Sequence, residues 1–174
     1  MKSINKILVI GSAGSGKTTF SKKLSIILNL PTIHLDKEYW KAGWVEPNHE
    51  EWEDKVKELL QKEKWIIDGN YASTLELRVK EADMIIFLDY NRFVCVNGVL
   101  KRVFKNRKKQ REDLPEGCLD KLDLKFLKWV WDFPKKYKPR IIDILNRSNK
   151  EVVMLKSRKE AKLYLENLSN VKKE

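Results

Sequence analysis

Residues 7–19 read Ile-Leu-Val-Ile-Gly-Ser-Ala-Gly-Ser-Gly-Lys-Thr-Thr, and this stretch decides the fold of the chain. A short apolar run ends in a glycine-rich turn, which leads directly into a lysine and two threonines. The spacing G-x-x-x-x-G-K-[ST] is typical of the loop that binds nucleotide phosphates, whose backbone amides point at phosphate oxygens. Glycine suits these positions because a side chain would block the close approach of the backbone.

We predict that this loop binds the phosphates of ATP. Lys17 is expected to contact the β- and γ-phosphates, and the Thr18 hydroxyl is expected to ligate Mg²⁺. The amino end of the following helix adds its positive dipole end. The predicted ATP-binding residues of the loop are Gly11, Ser12, Ala13, Gly14, Ser15, Gly16, Lys17, Thr18 and Thr19.

The flanking sequence supports a strand, a loop and a helix in that order. The apolar run before the loop is typical of a strand buried on both faces, as in a parallel sheet. Phe20, Leu24, Ile27 and Leu28 recur at helical spacing after the loop, and Pro31 ends that helix. A phosphate-binding loop is therefore favoured over a simple connecting turn.

Four further apolar runs predict the remaining strands, at residues 32–35, 65–67, 84–88 and 152–155. Helical patterns separate them, which predicts an α/β fold with a five-stranded parallel sheet in a three-layer α/β/α sandwich. One helix is expected from residue 119 to Pro134 with a heavily packed apolar side. With 174 residues, the chain is long enough for one domain, residues 1–174.

The net charge and the cysteines indicate which kinds of partner the chain binds and in which cellular compartment it works. The net charge of +11 favours anionic partners, namely nucleotides, nucleic acid or a membrane surface, without choosing among them. Cys95 and Cys118 have no metal-site spacing, so both are expected to be free thiols. The longest apolar run, residues 84–88, is far shorter than a membrane span, so we predict no membrane association and a cytoplasmic protein.

Three carboxylates follow predicted strands directly and are candidates for the metal side of the site. Asp68, followed by Gly69, is the first choice to hold Mg²⁺ with Thr18, and Asp89 is its rival. Asp36 follows the second strand, where it meets Mg²⁺ through water or meets a substrate hydroxyl. The sequence leaves open which of the three serves the metal.

Residues 36–64 are predicted to form the acceptor side. Trp40 and Trp44 flank an irregular loop, where they either stack on a flat ring of the substrate or pack a lid onto the core. Arg78 is predicted to lie opposite the apolar side of its short helix, where it meets a substrate anion or water. The predicted acceptor-binding residues are Asp36, Trp40, Trp44 and Arg78.

A strongly basic segment follows the fourth strand, with seven basic residues and no acidic one between residues 101 and 111. One interpretation is a lid over residues 105–118, in which Arg107 and Arg111 neutralise the charge of the transferred phosphoryl group. A second is a contact with the phosphate backbone of nucleic acid, and a third is a solvated face.

At this point the chain resembles the adenylate-kinase-like P-loop kinases, and most of all a bacterial branch labelled DNA topology modulation proteins. The resemblance is carried by Gly11 to Thr18, His34-Leu35-Asp36, Trp40, Trp44, residues 65–71, Arg78, Arg102, Arg107, Arg111 and residues 126–133. It implies strand order 2-3-1-4-5, a helical basic lid, and adenine near Arg102 and residues 157–158. Adenylate kinases proper carry an aromatic residue, proline and arginine where Asn70-Tyr71 stand here, which argues against AMP as the acceptor.

The leading functional hypothesis is an ATP-dependent phosphotransferase that acts on a small metabolite of unidentified structure, with ATP and Mg²⁺ as cofactors. Its predicted catalytic residues are Lys17, Asp36, Arg107 and Arg111. A nucleotide-hydrolysing switch is the first alternative. A DNA-associated topology modulation protein is the second, although no groove-reading motif is present.

Overall fold

The computed structural model describes residues 4–106, 112–119 and 122–171. The strands in this part of the chain are β1 (Lys6–Gly11), β2 (Thr32–His34), β3 (Trp65–Asp68), β4 (Met84–Leu88) and β5 (Glu151–Leu155). The α-helices are α1 (Lys17–Leu28), α2 (Leu35–Tyr39), α3 (His49–Leu60), α4 (Leu75–Glu81), α5 (Arg92–Lys105), α6 (Leu124–Lys136), α7 (Lys138–Arg147) and α8 (Arg158–Val171). A single 3₁₀ turn, Ala72–Thr74, precedes α4.

The five strands form one parallel sheet in the order β2-β3-β1-β4-β5, which confirms the predicted architecture. β1 lies at the centre, with Leu8 opposite Ile67 of β3 and Ile85 of β4. The glycine-rich loop therefore leaves the middle of the sheet at its carboxyl edge, where parallel α/β folds collect their ligands.

Alternation along β1 divides the apolar interior into two layers. Leu8 and Ile10 pack in one core with buried residues of α3, α4 and α7. Ile7 and Val9 pack in the other core with buried residues of α1, α5 and α8. Helices therefore cover both faces of the sheet, as the near-continuous apolar strands require.

Two helices differ from the sequence-based expectation. Leu35 was predicted to end the second strand, but it begins α2, which carries Asp36 in its first turn. The helix expected from residue 119 begins instead at Leu124, because Asp123 caps it by accepting a hydrogen bond from the Lys125 amide at 2.8 Å. Leu124 is 76% exposed, so the apolar side of α6 is narrower than predicted.

The structure also describes the state of the two cysteines and the length and polarity of the helices. Cys95 and Cys118 are both free and buried. In the described part of the chain, every helix is too short or too polar to cross a bilayer.

Candidate active site

The loop between β1 and α1 has the backbone conformation that its glycines predict. Gly11, Gly14 and Gly16 all have positive φ, which residues other than glycine rarely adopt. Gly16 caps α1 without a side-chain hydrogen bond, and the first turn of α1 contains no acidic residue. The amino end of α1 is therefore open to an anion.

Lys17 lies over this loop. Its Nζ donates hydrogen bonds to the carbonyl oxygens of Gly11 at 2.8 Å and Ser12 at 3.1 Å. Burial lowers the pKa of Lys17 below its usual value, and the nearby carboxylates of Asp36 and Asp68 oppose that shift. The ammonium group is thus held at the point where phosphate oxygens would approach the loop.

The loop also contains a buried hydroxyl with unused hydrogen-bonding capacity. The Oγ of Ser15 is buried and makes no hydrogen bond to any residue that the structure describes. An unsatisfied polar atom in such a position is costly unless a ligand completes it. Its position supports phosphate binding by the loop.

Helix α5 holds the loop from behind through a contact between two backbones. A Cβ built on Gly98 would lie 2.1 Å from the carbonyl oxygen of Gly14, and one built on Gly14 would lie 2.0 Å from the carbonyl oxygen of Cys95. Neither position has room for a side chain. In the sequence, the only sign of this role of Gly98 is a glycine within a helical pattern.

We expect Gly98→Ala to weaken ATP binding by about tenfold or more, because displacing the loop costs at least about 1.4 kcal/mol of binding free energy when backbone atoms must move. Isothermal titration with ATP measures this effect. The matched control is Asn97→Ala, which changes the neighbouring exposed position of α5. Equal ATP affinity in wild type and Gly98→Ala would show that the loop tolerates the shift.

Residues 68–71, at the end of β3, connect the loop with the acceptor side. The Asn70 side chain accepts a hydrogen bond from the Gly11 amide at 3.1 Å and donates to the Gly11 carbonyl at 2.7 Å. The Tyr71 hydroxyl donates to Asp36 Oδ1 at 2.8 Å. The Asn70-Tyr71 pair, which departs from adenylate kinases proper, therefore braces the start of the phosphate-binding loop and positions Asp36.

Asp68 is buried and paired with a histidine. His34 Nδ1 donates to Asp68 Oδ2 at 2.8 Å, and this bond raises the pKa of His34 above its usual value. Asp89 accepts a hydrogen bond from Lys138 Nζ at 2.6 Å. Each of these two carboxylates thus already faces a cationic or proton-donating partner.

Arg78 does not lie at the surface, and its predicted placement was wrong. The side chain is completely buried. Four backbone carbonyls take the place of water as hydrogen-bond acceptors for its guanidinium. It donates to the carbonyl oxygens of Gly69 at 2.9 Å, Asn70 at 2.5 Å, Tyr71 at 2.7 Å and Thr74 at 3.3 Å. Burial lowers the pKa of Arg78 to about 9, so the group remains charged at neutral pH.

The two predicted tryptophans lie together beside the acceptor side. Trp40 and Trp44 are half-buried and meet edge to face, with ring centroids 5.2 Å apart. Trp40 also contacts Tyr39, whose ring lies 4.5 Å from that of Tyr71. These contacts connect the tryptophans to Asp36 through Tyr71, and the stacking role remains a prediction.

The predicted arginines lie in different situations. Arg102 is half-buried near the end of α5, with its guanidinium carbon 6.0 Å from the centre of the Phe126 ring. Arg107 and Arg111 lie outside the described residues, as does the part of the predicted lid between them. Their role on the phosphates therefore stays a prediction.

Several solved structures with a similar fold are kinases. The chain aligns with shikimate kinase from Bacteroides thetaiotaomicron at 17% identity and a TM-score of 0.56, over 99% of this chain and 100% of that one. Shikimate kinase from Acinetobacter baumannii, solved with shikimate, aligns at 13% identity and a TM-score of 0.58 over 98% and 93% of the two chains. Deoxyadenosine kinase from M. mycoides, solved with dATP, aligns at 14% identity and a TM-score of 0.53 over 94% and 98%.

No protein-family profile matches the chain, and no curated protein matches its sequence. The structural likeness extends over nearly the full length of this chain and of each neighbour. It agrees with the sheet order and with the glycine-rich loop at the end of β1. The chain therefore has a P-loop kinase-like fold.

Proposed function

We propose that this protein is an ATP-dependent phosphotransferase that transfers the γ-phosphoryl group of ATP to a small metabolite. The observation that carries the proposal is the loop of residues 11–18, where Lys17 Nζ is hydrogen-bonded to two loop carbonyls and α1 begins without a side-chain cap. These groups match the charge and shape of a triphosphate. The likeness to kinases of small hydroxyl-bearing substrates supports the same class of reaction.

The residues of this site fit a magnesium ion. The Thr18 hydroxyl lies at the amino end of α1 within hydrogen-bonding distance of a carboxylate, and hydroxyl and carboxylate oxygens are the ligands that Mg²⁺ prefers. When bound, the ion would supply positive charge that offsets the negative charge of the phosphates during transfer. Thr18 would hold it, with Asp68 or Asp36 behind water as the sequence predicts.

The chain's own groups would divide the remaining work. The loop amides and Lys17 bind and orient the phosphates, and Arg102 borders the adenine. Asp36, whose Oδ1 accepts a hydrogen bond from Tyr71, would accept a hydrogen bond from the substrate hydroxyl. Arg107 and Arg111 would neutralise the transferred group and exclude water.

The acceptor is the open part of this proposal. The names of the neighbours give two classes of acceptor, a hydroxylated carboxylic acid in shikimate kinase and a deoxynucleoside in deoxyadenosine kinase. The aromatic cluster of Tyr39, Trp40 and Trp44 favours a flat or cyclic acceptor. A nucleoside or a cyclic hydroxy acid is therefore the class to test first.

The proposal is tested by following ADP release from ATP with separate additions of nucleosides, nucleotides, cyclic hydroxy acids and duplex DNA. We expect one small-molecule class to stimulate release and to yield a phosphorylated product by mass spectrometry. Stimulation by DNA alone would favour the DNA-associated alternative, and hydrolysis that no metabolite changes would favour the nucleotide-hydrolysing switch. A Lys17→Ala preparation controls for contaminating kinases.

A further inference from the structure

The segment after the basic stretch returns to the phosphate-binding loop. Asp113 lies in this segment, is only 7% exposed, and its Oδ2 accepts a hydrogen bond from the Thr18 hydroxyl at 3.1 Å. The neighbouring Glu112 pairs with Lys22 Nζ at 2.7 Å, one turn further along α1. Residues 112–113 therefore lie across the first turns of α1, beside the predicted metal ligand.

The same segment is anchored on the acceptor side. Cys118 is fully buried, and its Sγ donates to the carbonyl oxygen of Lys41 at 3.3 Å. Leu114 is buried as well, so packing holds the segment on the carboxyl-terminal side of Asp113. Asp113 is thus fixed between the phosphate-binding loop and the loop that carries Trp40 and Trp44.

The three carboxylates that follow strands are directed to other partners. Asp68 accepts from His34, Asp36 accepts from Tyr71, and Asp89 accepts from Lys138. In the described part of the chain, the carboxylate hydrogen-bonded to the Thr18 hydroxyl is that of Asp113. This contact joins residues 95 positions apart, so no local pattern in the sequence indicates it.

The distance between the two oxygens suits two ligands of one magnesium ion. Mg²⁺ takes octahedral geometry with ligands at about 2.1 Å, so adjacent ligand oxygens lie about 3.0 Å apart. Thr18 Oγ1 and Asp113 Oδ2 are 3.1 Å apart. A cation can therefore join these two oxygens with only a small change in their separation.

A cation beside Asp113 would favour nucleotide binding. A buried carboxylate repels a triphosphate, and a divalent cation bound to both removes that repulsion. Asp113 is such a carboxylate, next to the open amino end of α1. We propose that Asp113 ligates the nucleotide-bound Mg²⁺ together with Thr18, an inference that rests on the proposed function.

This assignment predicts opposite effects of one substitution with and without metal. Asp113→Asn should reduce the gain in ATP affinity that Mg²⁺ provides by about tenfold or more. Without metal, in EDTA, the same variant should bind ATP as tightly as wild type or more tightly, because a repulsive charge is lost. Isothermal titration with ATP in both buffers measures the two effects.

The matched control is Glu112→Gln, which removes the same charge from the adjacent residue and disrupts an exposed ion pair with Lys22. It should keep the full gain from Mg²⁺. Thermal unfolding of each variant verifies that the fold is intact. A gain from Mg²⁺ that Asp113→Asn retains would overturn the assignment.

Asp113→Cys separates direct ligation from an indirect role. A thiolate ligand favours soft metals, so Cd²⁺ should raise the ATP affinity of this variant where Mg²⁺ no longer does. Wild type in Cd²⁺ controls for Cys95 and Cys118. No advantage of Cd²⁺ over Mg²⁺ in Asp113→Cys would overturn direct ligation.

Two further outcomes are decisive and distinguishable. Equally tighter ATP binding by Asp113→Asn with and without Mg²⁺ would identify Asp113 as a group that blocks the site, and would overturn metal ligation. If wild type binds no ATP in either buffer, the proposed function fails together with this inference. If wild type binds and Asp113→Asn keeps the gain from Mg²⁺, only this inference fails.

Discussion

Lys17→Ala is expected to lower the turnover of ATP by about a hundredfold to a thousandfold, the usual cost of removing a preorganised group that stabilises developing charge. The ammonium is bound to two loop carbonyls and lies at the amino end of α1, where the phosphates would converge. Initial rates of ADP release, with the acceptor found in the screen, measure the effect.

The control for this prediction lies on the same helix. Lys23→Ala removes an exposed lysine of α1 and should leave turnover unchanged. Thermal unfolding should show that both variants are folded. If Lys17→Ala and Lys23→Ala retain the same turnover as wild type, Lys17 does not act on the transferred phosphate.

Arg78→Leu is expected to lower the free energy of unfolding by about 3–5 kcal/mol, because it leaves several buried carbonyls without donors. The four carbonyls belong to residues 69–71 and Thr74. Tyr71 has a positive φ of 25°, which its non-glycine backbone adopts only with support from its surroundings. Urea denaturation measures the loss.

Two control variants show whether a loss of stability in Arg78→Leu comes from the lost hydrogen bonds. Lys80→Leu changes an exposed basic residue of the same helix and should alter stability by no more than about 0.5 kcal/mol. Arg78→Lys keeps the charge but loses the planar fork that reaches several carbonyls, so its loss should be intermediate. Unchanged stability in Arg78→Leu, with weaker acceptor binding, would favour the originally predicted contact with substrate.

Arg78 acts on the site by holding residues 69–71 in place. Residues 69–71, which it holds, carry the Asn70 clamp on Gly11 and the Tyr71 bond to Asp36. Losing the guanidinium therefore releases the loop and Asp36 together. Position 78 lies three residues after Leu75 and four before Ala82, on the buried side of α4, but it was predicted at the surface because arginine is ordinarily exposed.

The fold was predictable because its determinants are local. The apolar run before Gly11 and the spacing from Gly11 to Thr18 specify a strand, a turn and a helix within about 20 residues. The strand order followed from resemblance to a known family, and the sheet confirms it. The predicted start of α6 at residue 119 was wrong. The apolar pattern extends back to that residue, but the hydrogen bonds that the Asp123 side chain accepts begin the helix at Leu124.

The candidate site was less predictable because its contacts join distant parts of the chain. Asn70 contacts Gly11 across 59 positions, and Asp113 contacts Thr18 across 95. Gly98 meets Gly14 through backbone atoms alone. None of these pairs has a spacing signature, so only the folded chain reveals that they meet.

The most direct test of the central claim is isothermal titration of wild-type protein with ATP in the presence of Mg²⁺. We expect saturable binding of one ATP per chain, which is lost or strongly weakened in Lys17→Ala and unchanged in Lys23→Ala. Wild-type protein that is folded by thermal unfolding and binds no ATP would contradict it.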